Sequence, residues 1–280
     1  MYVFSYFKTD DEAMYLATSS DGLAWQELNG GKPVLRSVVG TGQLRDPMVY
    51  RDAEGTFHAV WTDGWRSQSI GYARSADLLN WTEQRLLPVM EALPGTQNTW
   101  APEVFWDAAL GKHRIIWSST VLKEGEAPPK DHRIWSAVTA DFQEFSPAAV
   151  FFDPGYNVID ANVTDIGDEY VMLFKDERGT NTPDTDYKAL RSCRFGKSGL
   201  DRPEMTAISP LLTPRLTEGP ALFPLTGEGE RGWVLLFDYF ESEHYGVWFT
   251  PDLIHWEDWS KRASLPTAPR HGHVLTMKPQ

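Results

Sequence analysis

An all-β, five-bladed propeller with four antiparallel strands per blade is the fold that this sequence predicts. A turn phrase and a ladder of polar residues recur along the 280-residue chain with nearly the same period. Between them lie short apolar or alternating runs (FHAVWTD, HRIIWSS, HRIWSAV, EYVMLFKD, GWVLLFDY and YGVWFTP) of strand length. No segment sustains a 3.6-residue amphipathic pattern; LLPVMEALPG is the best short-helix candidate, and its prolines break it.

The turn phrase reads SSDGLAWQEL, SADLLNWTEQ, TADFQEFSPA and TPDLIHWEDW. Each copy places a hydroxylated residue two before an Asp and an aromatic ring four after it: Asp21/Trp25, Asp77/Trp81, Asp141/Phe145 and Asp252/Trp256. The Asp positions step by 56, 64 and 111, the last near two periods, so a fifth copy has degenerated around Phe195–Asp201. The side-chain oxygens cap a tight turn and the ring packs back on the blade, which is scaffolding rather than chemistry. Roughly twenty strands at this period give five blades of four. APPK and NTPDTD read as long loops, no linker is evident, and residues 1–280 read as a single domain.

Composition narrows the function. The net charge of −13 argues against a polyanionic partner such as nucleic acid. One cysteine, Cys193, allows neither a disulfide framework nor a cysteine-based metal site. The N-terminus MYVFSYFKTD carries no basic segment or long apolar run, so neither signal peptide nor membrane anchor is expected; the sequence as written reads as cytoplasmic, and a trimmed secreted or periplasmic protein would read the same. Twelve Trp exceed ordinary need, and flat aromatic faces suit the C–H faces of sugar rings, although most will serve the core.

The second ladder carries the chemistry. LRDPMVY places Asp46, TWAPEVFW Glu103, VIDANVT Asp160, TEGPALF Glu218 and RHGHVLT His271, at gaps of 57, 57, 58 and 53. Each begins an apolar strand beside Pro or Gly. The innermost strands of a propeller all start at one end of the channel, so these five residues are expected to converge. Carboxylates gathered on one axis repel, and their pKa values must rise or cations must compensate, with Arg45, Arg215 and Arg270 as candidates. Glycoside hydrolysis needs such a pairing of a protonated acid with an ionised base.

Through RDP, WAPE, VID, EGP and RHG, in that order, nearly the whole chain resembles glycoside hydrolase family 43. The resemblance implies an inverting hydrolase in which Asp46 is the general base, Asp160 tunes and orients the acid, and Glu218 is the general acid. It also implies that His271 lies over a solvent-filled channel where a calcium ion is held through water; no other cofactor is required. Two features depart from that pattern. About 45 residues precede Asp46, and Met1–Leu28 are read as strands completing the blade that His271–Met277 begins, so that the chain ends close the ring. The third triplet is Ile159-Asp160-Ala161 rather than Ile-Asp-Pro.

Trp65 and Trp100 are the expected sugar-stacking platforms, with Glu103, Arg270 and His271 as further substrate-binding residues. His273 is expected deeper, outside the site. Lys175, Asp176, Asp238 and Tyr239 read as strand-end or core residues, with Lys175 and Asp176 within possible reach of substrate hydroxyls. Asp160, ionised, is expected to raise the pKa of Glu218 by like-charge repulsion.

The partner implied is an oligo- or polysaccharide, the favoured activity that of an α-L-arabinofuranosidase, with β-xylosidase and galactofuranosidase or galactosidase as alternatives. An inactive carbohydrate-binding propeller would tolerate loss of a carboxylate, and all three are present. A protein-binding scaffold needs no acid cluster. The turn phrase faintly resembles the Asp box of sialidases, but those need converging arginines, whereas this ladder is acidic. A retaining fructan-cleaving enzyme would show an Asn-Asp-Pro opening, which is absent. Whether VLKEGEAPPKDH and ERGTNTPDTDYK close the pocket decides between exo and endo action.

Overall fold

A computed structural model describes residues 1–123, 125, 131–179, 188–226, 230–242 and 244–277. APPK, and NTPDTD with one residue on either side (180–187), lie outside the described residues, so the closure expected of those two loops lies outside them too.

Five antiparallel sheets form the ring. The chain opens with Tyr2–Lys8 (β1), Asp11–Ser19 (β2) and Gln26–Glu27 (β3). Blade one follows as Arg45–Arg51 (β4), Phe57–Thr62 (β5), Ile70–Ser75 (β6) and Trp81–Leu87 (β7). Blade two is Trp100–Asp107 (β8), Lys112–Ser119 (β9), Arg133–Thr139 (β10) and Ala149–Phe152 (β11). Blade three is Val158–Asp165 (β12), Glu169–Asp176 (β13) and Ala189–Gly196 (β14); blade four is Glu218–Leu225 (β15), Gly232–Tyr239 (β16), His244–Thr250 (β17) and Glu257–Asp258 (β18). Arg270–Thr276 (β19) then pairs with β1, giving a seam blade in the order β19-β1-β2-β3, as the sequence led us to expect. The outer edge of blade three is filled irregularly: Thr206, Ser209 and Leu212 donate backbone N–H bonds to Arg194, Ser192 and Leu190. The degenerate turn copy precedes that edge. LLPVMEALPG ends β7 with its two leucines and then forms turns, with Met90 buried and its N–H donated to the Gln68 carbonyl.

Each phrase folds as anticipated. In the four copies one carboxylate oxygen, on Asp21, Asp77, Asp141 or Asp252, accepts two successive backbone N–H groups, and the preceding Ser or Thr hydroxyl accepts a third. Five apolar clusters fill the interfaces between neighbouring blades. Because side chains alternate along a strand, Met172 and Phe174 of β13 pack toward blade two while Val171 and Leu173 pack toward blade four. Both faces are buried, which is why EYVMLF is apolar almost throughout rather than alternating.

Candidate active site

β4, β8, β12, β15 and β19 surround the channel, and each is interrupted near its start by the same irregularity. The pairing skips two residues at Asp46-Pro47, Ala101-Pro102, Asp160-Ala161, Gly219-Pro220 and His271-Gly272. Such bulges re-aim a side chain out of the sheet's plane. Asp46, Ala101, Asp160 and Gly219 all have positive φ, between 47° and 58°. Asp visits this region more readily than most non-glycine residues, but strained backbone of this kind still costs about 1–3 kcal/mol per residue. At Gly219 a Cβ would lie 2.8 Å from Cγ of His271, so a larger residue would have to displace that side chain.

The bulges define three tiers. Arg45, Trp100, Ile159, Glu218 and Arg270 form the upper one; Asp46, Ala101, Asp160, Gly219 and His271 the middle one; Met48, Glu103, Asn162, Ala221 and His273 the lower one. A cavity of about 200 Å³ opens over the upper and middle tiers. Asp46, Asp160, Glu218, His271, Trp65 and Trp100 all line it, together with Arg45, Thr62, Ile159, Lys175, Glu177, Lys188 and Phe240. Trp65 is 56% exposed at the rim, stands edge-on to Trp100 at 5.6 Å between ring centroids, and carries the Arg45 guanidinium over its face.

Two residues expected in the pocket wall lie elsewhere. Glu103 belongs to the lower tier, inside the channel, where it accepts bonds from Asn162 Nδ2 (2.9 and 3.1 Å) and from the Val163 N–H (3.2 Å). Its true counterpart in the middle tier is Ala101, so blade two contributes no carboxylate there. Arg270 sits behind Glu218 rather than in the lining: its Nε donates to Asp238 Oδ2 at 2.6 Å and its Nη2 lies 3.6 Å from Glu218 Oε1. Arg215, expected to compensate the acids, is exposed and outside the lining.

Residues at or next to the ends of the second strands complete the site. Thr62, Ser118, Lys175 and Asp238 pair with the upper tier residues Arg45, Trp100, Ile159 and Glu218. The Thr62 hydroxyl donates to Asp46 Oδ2 (2.7 Å) and accepts the Ala101 N–H (2.8 Å). Ser118 Oγ accepts the Asp160 N–H, Asp160 Oδ2 accepts the Gly219 N–H, and Asp238 Oδ2 accepts the His271 N–H. Lys175, read from sequence chiefly as a strand-end residue, reaches Glu218 Oε2 at 2.7 Å and Glu177 Oε1 at 2.6 Å. A signal for these residues was available: an antiparallel partner ends where the inner strand begins.

Electrostatics reverse one expectation. Burial pushes Asp160 up to about 7, with Glu218 and Asp46 adding to the effect. Burial pushes Glu218 the same way, but Lys175, His271 and Arg270 outweigh it and hold its carboxyl below the usual range. The cations, not the Asp160 charge, thus dominate Glu218. Burial alone would lower His271; the carboxylates of Asp160, Asp46, Glu218 and Asp238 raise it instead. Its Nδ1 lies 3.4 Å from Asp46 Oδ1 and 3.8 Å from Asp160 Oδ2. Asp238 is pushed by burial to about 6, against the opposing pull of Arg270.

Calcium takes six to eight oxygen ligands. Below His271 the channel offers the Glu103 carboxyl, which already accepts three bonds and which burial pushes up to about 8, and the imidazole of His273. Among the described residues no group of three or more His, Cys, Asp or Glu is placed to hold a metal ion.

A family model described as "Probable glycosyl hydrolase domain" matches residues 1–280. An α-L-arabinofuranosidase of Bifidobacterium longum subsp. longum is 29% identical over 186 residues, which cover 57% of this chain and 18% of that protein. The chain therefore spans under a fifth of that relative's length. Among solved structures, an endo-1,4-β-xylanase from Bacteroides thetaiotaomicron superposes with a TM-score of 0.62 at 13% identity, covering 97% of this chain and 93% of the other. An α-L-arabinanase of Cellvibrio cellulosa, complexed with arabinohexaose, gives 0.59 at 12% identity and covers 93% and 92%. At those identities the likeness is one of fold.

Proposed function

Because the chain belongs to the family of probable glycosyl hydrolase domains, we propose that it removes single sugar units, most favourably α-L-arabinofuranosyl groups, from oligo- or polysaccharides with inversion. The observation that carries this reading is the convergence of Asp46, Asp160 and Glu218 on one small cavity walled by Trp65, Trp100 and Phe240. At about 200 Å³ the cavity bounded by the described residues has room for one sugar residue against the three carboxylates.

Asp46, held by Thr62 and faced by His271, is the base that takes a proton from water. Glu218 is the acid that protonates the leaving oxygen, and Asp160 and His271 set the charge around it. Inversion requires a water between base and acid, with carboxyl groups roughly 6.5–9.5 Å apart. Trp65 and Trp100 offer ring faces to the sugar.

The near-neutral poise of Asp160 favours a second assignment, in which Asp160 holds the donated proton and Glu218 stabilises charge. Leaving-group dependence separates the two. Glu218→Gln is expected to abolish hydrolysis of methyl α-L-arabinofuranoside while sparing much of the activity on the 4-nitrophenyl glycoside. That pattern in Asp160→Asn instead would transfer the acid role to Asp160. A screen of 4-nitrophenyl furanosides and pyranosides, with proton NMR of the first-formed anomer, tests the sugar and the stereochemistry. Turnover of xylosides or galactofuranosides alone would replace the arabinose reading, and no turnover of any would leave a binding module.

A further inference from the structure

Glu218 stands at the centre of a chain of alternating charge. Glu177 Oε1 lies 2.6 Å from Lys175 Nζ, which lies 2.7 Å from Glu218 Oε2; on the other side Arg270 Nη2 lies 3.6 Å from Glu218 Oε1, and Arg270 Nε lies 2.6 Å from Asp238 Oδ2. Each oxygen of Glu218 thus faces one cation, and each cation is tied back by a carboxylate of its own. The Lys175 side chain is only 4% exposed and its ammonium also lies over the Phe240 ring at 4.1 Å, so water screens little of this. Among the described residues, the other charged or titratable groups facing Glu218 are Asp160 on β12, Tyr245 on β17, His271 on β19 and, across the cavity, Asp46 on β4 and Lys188 just before β14.

We infer that this alternation governs when Glu218 takes up its proton, with Glu177 and Asp238 acting as positioning residues through Lys175 and Arg270. The inference rests on the acid role proposed above for Glu218. A cation shared by two carboxylates is held less strongly by each. Removing an outer carboxylate gives the cation wholly to Glu218 and keeps it ionised; removing the inner cation does the opposite. A sugar oxygen that takes the place of Glu218 as partner of Lys175 releases the carboxyl to protonate. The acid is then charged with its proton only when the cavity is filled.

The two substitutions act with opposite sign, which a merely structural role would not produce. The alkaline limb of kcat/KM against pH reports the acid of the free enzyme. With methyl α-L-arabinofuranoside as substrate, Lys175→Met is expected to move that limb to higher pH by about one unit, a tenfold change in the proton affinity of Glu218. Glu177→Gln is expected to move it to lower pH, and Lys175→Arg, which keeps the charge, to leave it near that of the parent. Coincident limbs, or shifts of the same sign, would overturn the inference. Should Lys175→Met fail to fold, Glu177→Gln decides alone: an unmoved or alkaline-shifted limb refutes it. Glu218→Gln separates the two levels of the argument. Equal losses on the methyl and 4-nitrophenyl glycosides remove Glu218 from the acid role, whereas selective loss beside unmoved limbs sinks only the charge chain.

Discussion

Glu103 shows what a single residue's surroundings do to its chemistry. Enclosed in the channel, its carboxyl is raised to about 8 by burial, against the opposing bonds from Asn162 and Val163. A carboxyl raised in the folded state stabilises the protein fully below its unfolded pKa, near 4.3, and loses that contribution as pH rises through the folded value. Glu103→Gln, which keeps a neutral acceptor for those bonds, is therefore expected to flatten the fall in melting temperature between pH 5 and pH 8. An unchanged slope would mean that Glu103 is ionised in place. The spacing of acids along the sequence put Glu103 in phase with Asp46 and Asp160, because it counted charges and not backbone. Aligning the triplets RDP, WAP, IDA, EGP and RHG instead sets Ala101 beside Asp46 and lowers Glu103 by one tier.

Strands and turns were far more legible than the site they carry. The four turn phrases and the six apolar runs follow from local chemistry: Asp capping, period-two patterning and turn residues. What spacing alone could not convey was the pairing between strands. Lys175 and Asp238 end apolar runs and look like ordinary strand ends, yet antiparallel registry delivers them beside Ile159 and Glu218. The bulges were hidden for the same reason, since they are defined by a partner strand's count. Gly219 carries the element-level prediction. Alanine there faces both the positive φ, worth about 1–2 kcal/mol, and a contact with the His271 ring. Gly219→Ala should lower stability modestly and kcat/KM by at least about tenfold, since 1.4 kcal/mol at the transition state already does so. Full activity would show that the bulge does not position His271.

Across the whole ring, neighbouring blades are joined by side chains, and one joint is sensitive to protons. Phe142 of blade two stacks on His58 at 4.4 Å and on His113 at 4.9 Å, while His58 bonds Tyr72 and Asp52. Burial lowers the pKa of both histidines, outweighing Asp52. The sign is fixed by that direction: the neutral rings stabilise fully above the unfolded pKa of about 6.5, and the contribution is lost as pH falls through the folded values. His113→Phe, which keeps the ring contacts and removes one titration, should make the loss of melting temperature between pH 7.5 and pH 5 smaller than in the parent. An identical loss would locate the acid sensitivity elsewhere.

The seam blade has a consequence for how the molecule comes into being. Its first three strands precede the four other blades along the chain, but their inner neighbour, β19, leaves the ribosome about 250 residues after them, behind every other blade. Until then the growing chain is an open arc with an unpaired β1 edge, and it also lacks His271. Completion of the circle and arrival of that imidazole beside Asp46 are thus one event, so a nascent chain acquires its closed architecture and its full set of site residues together.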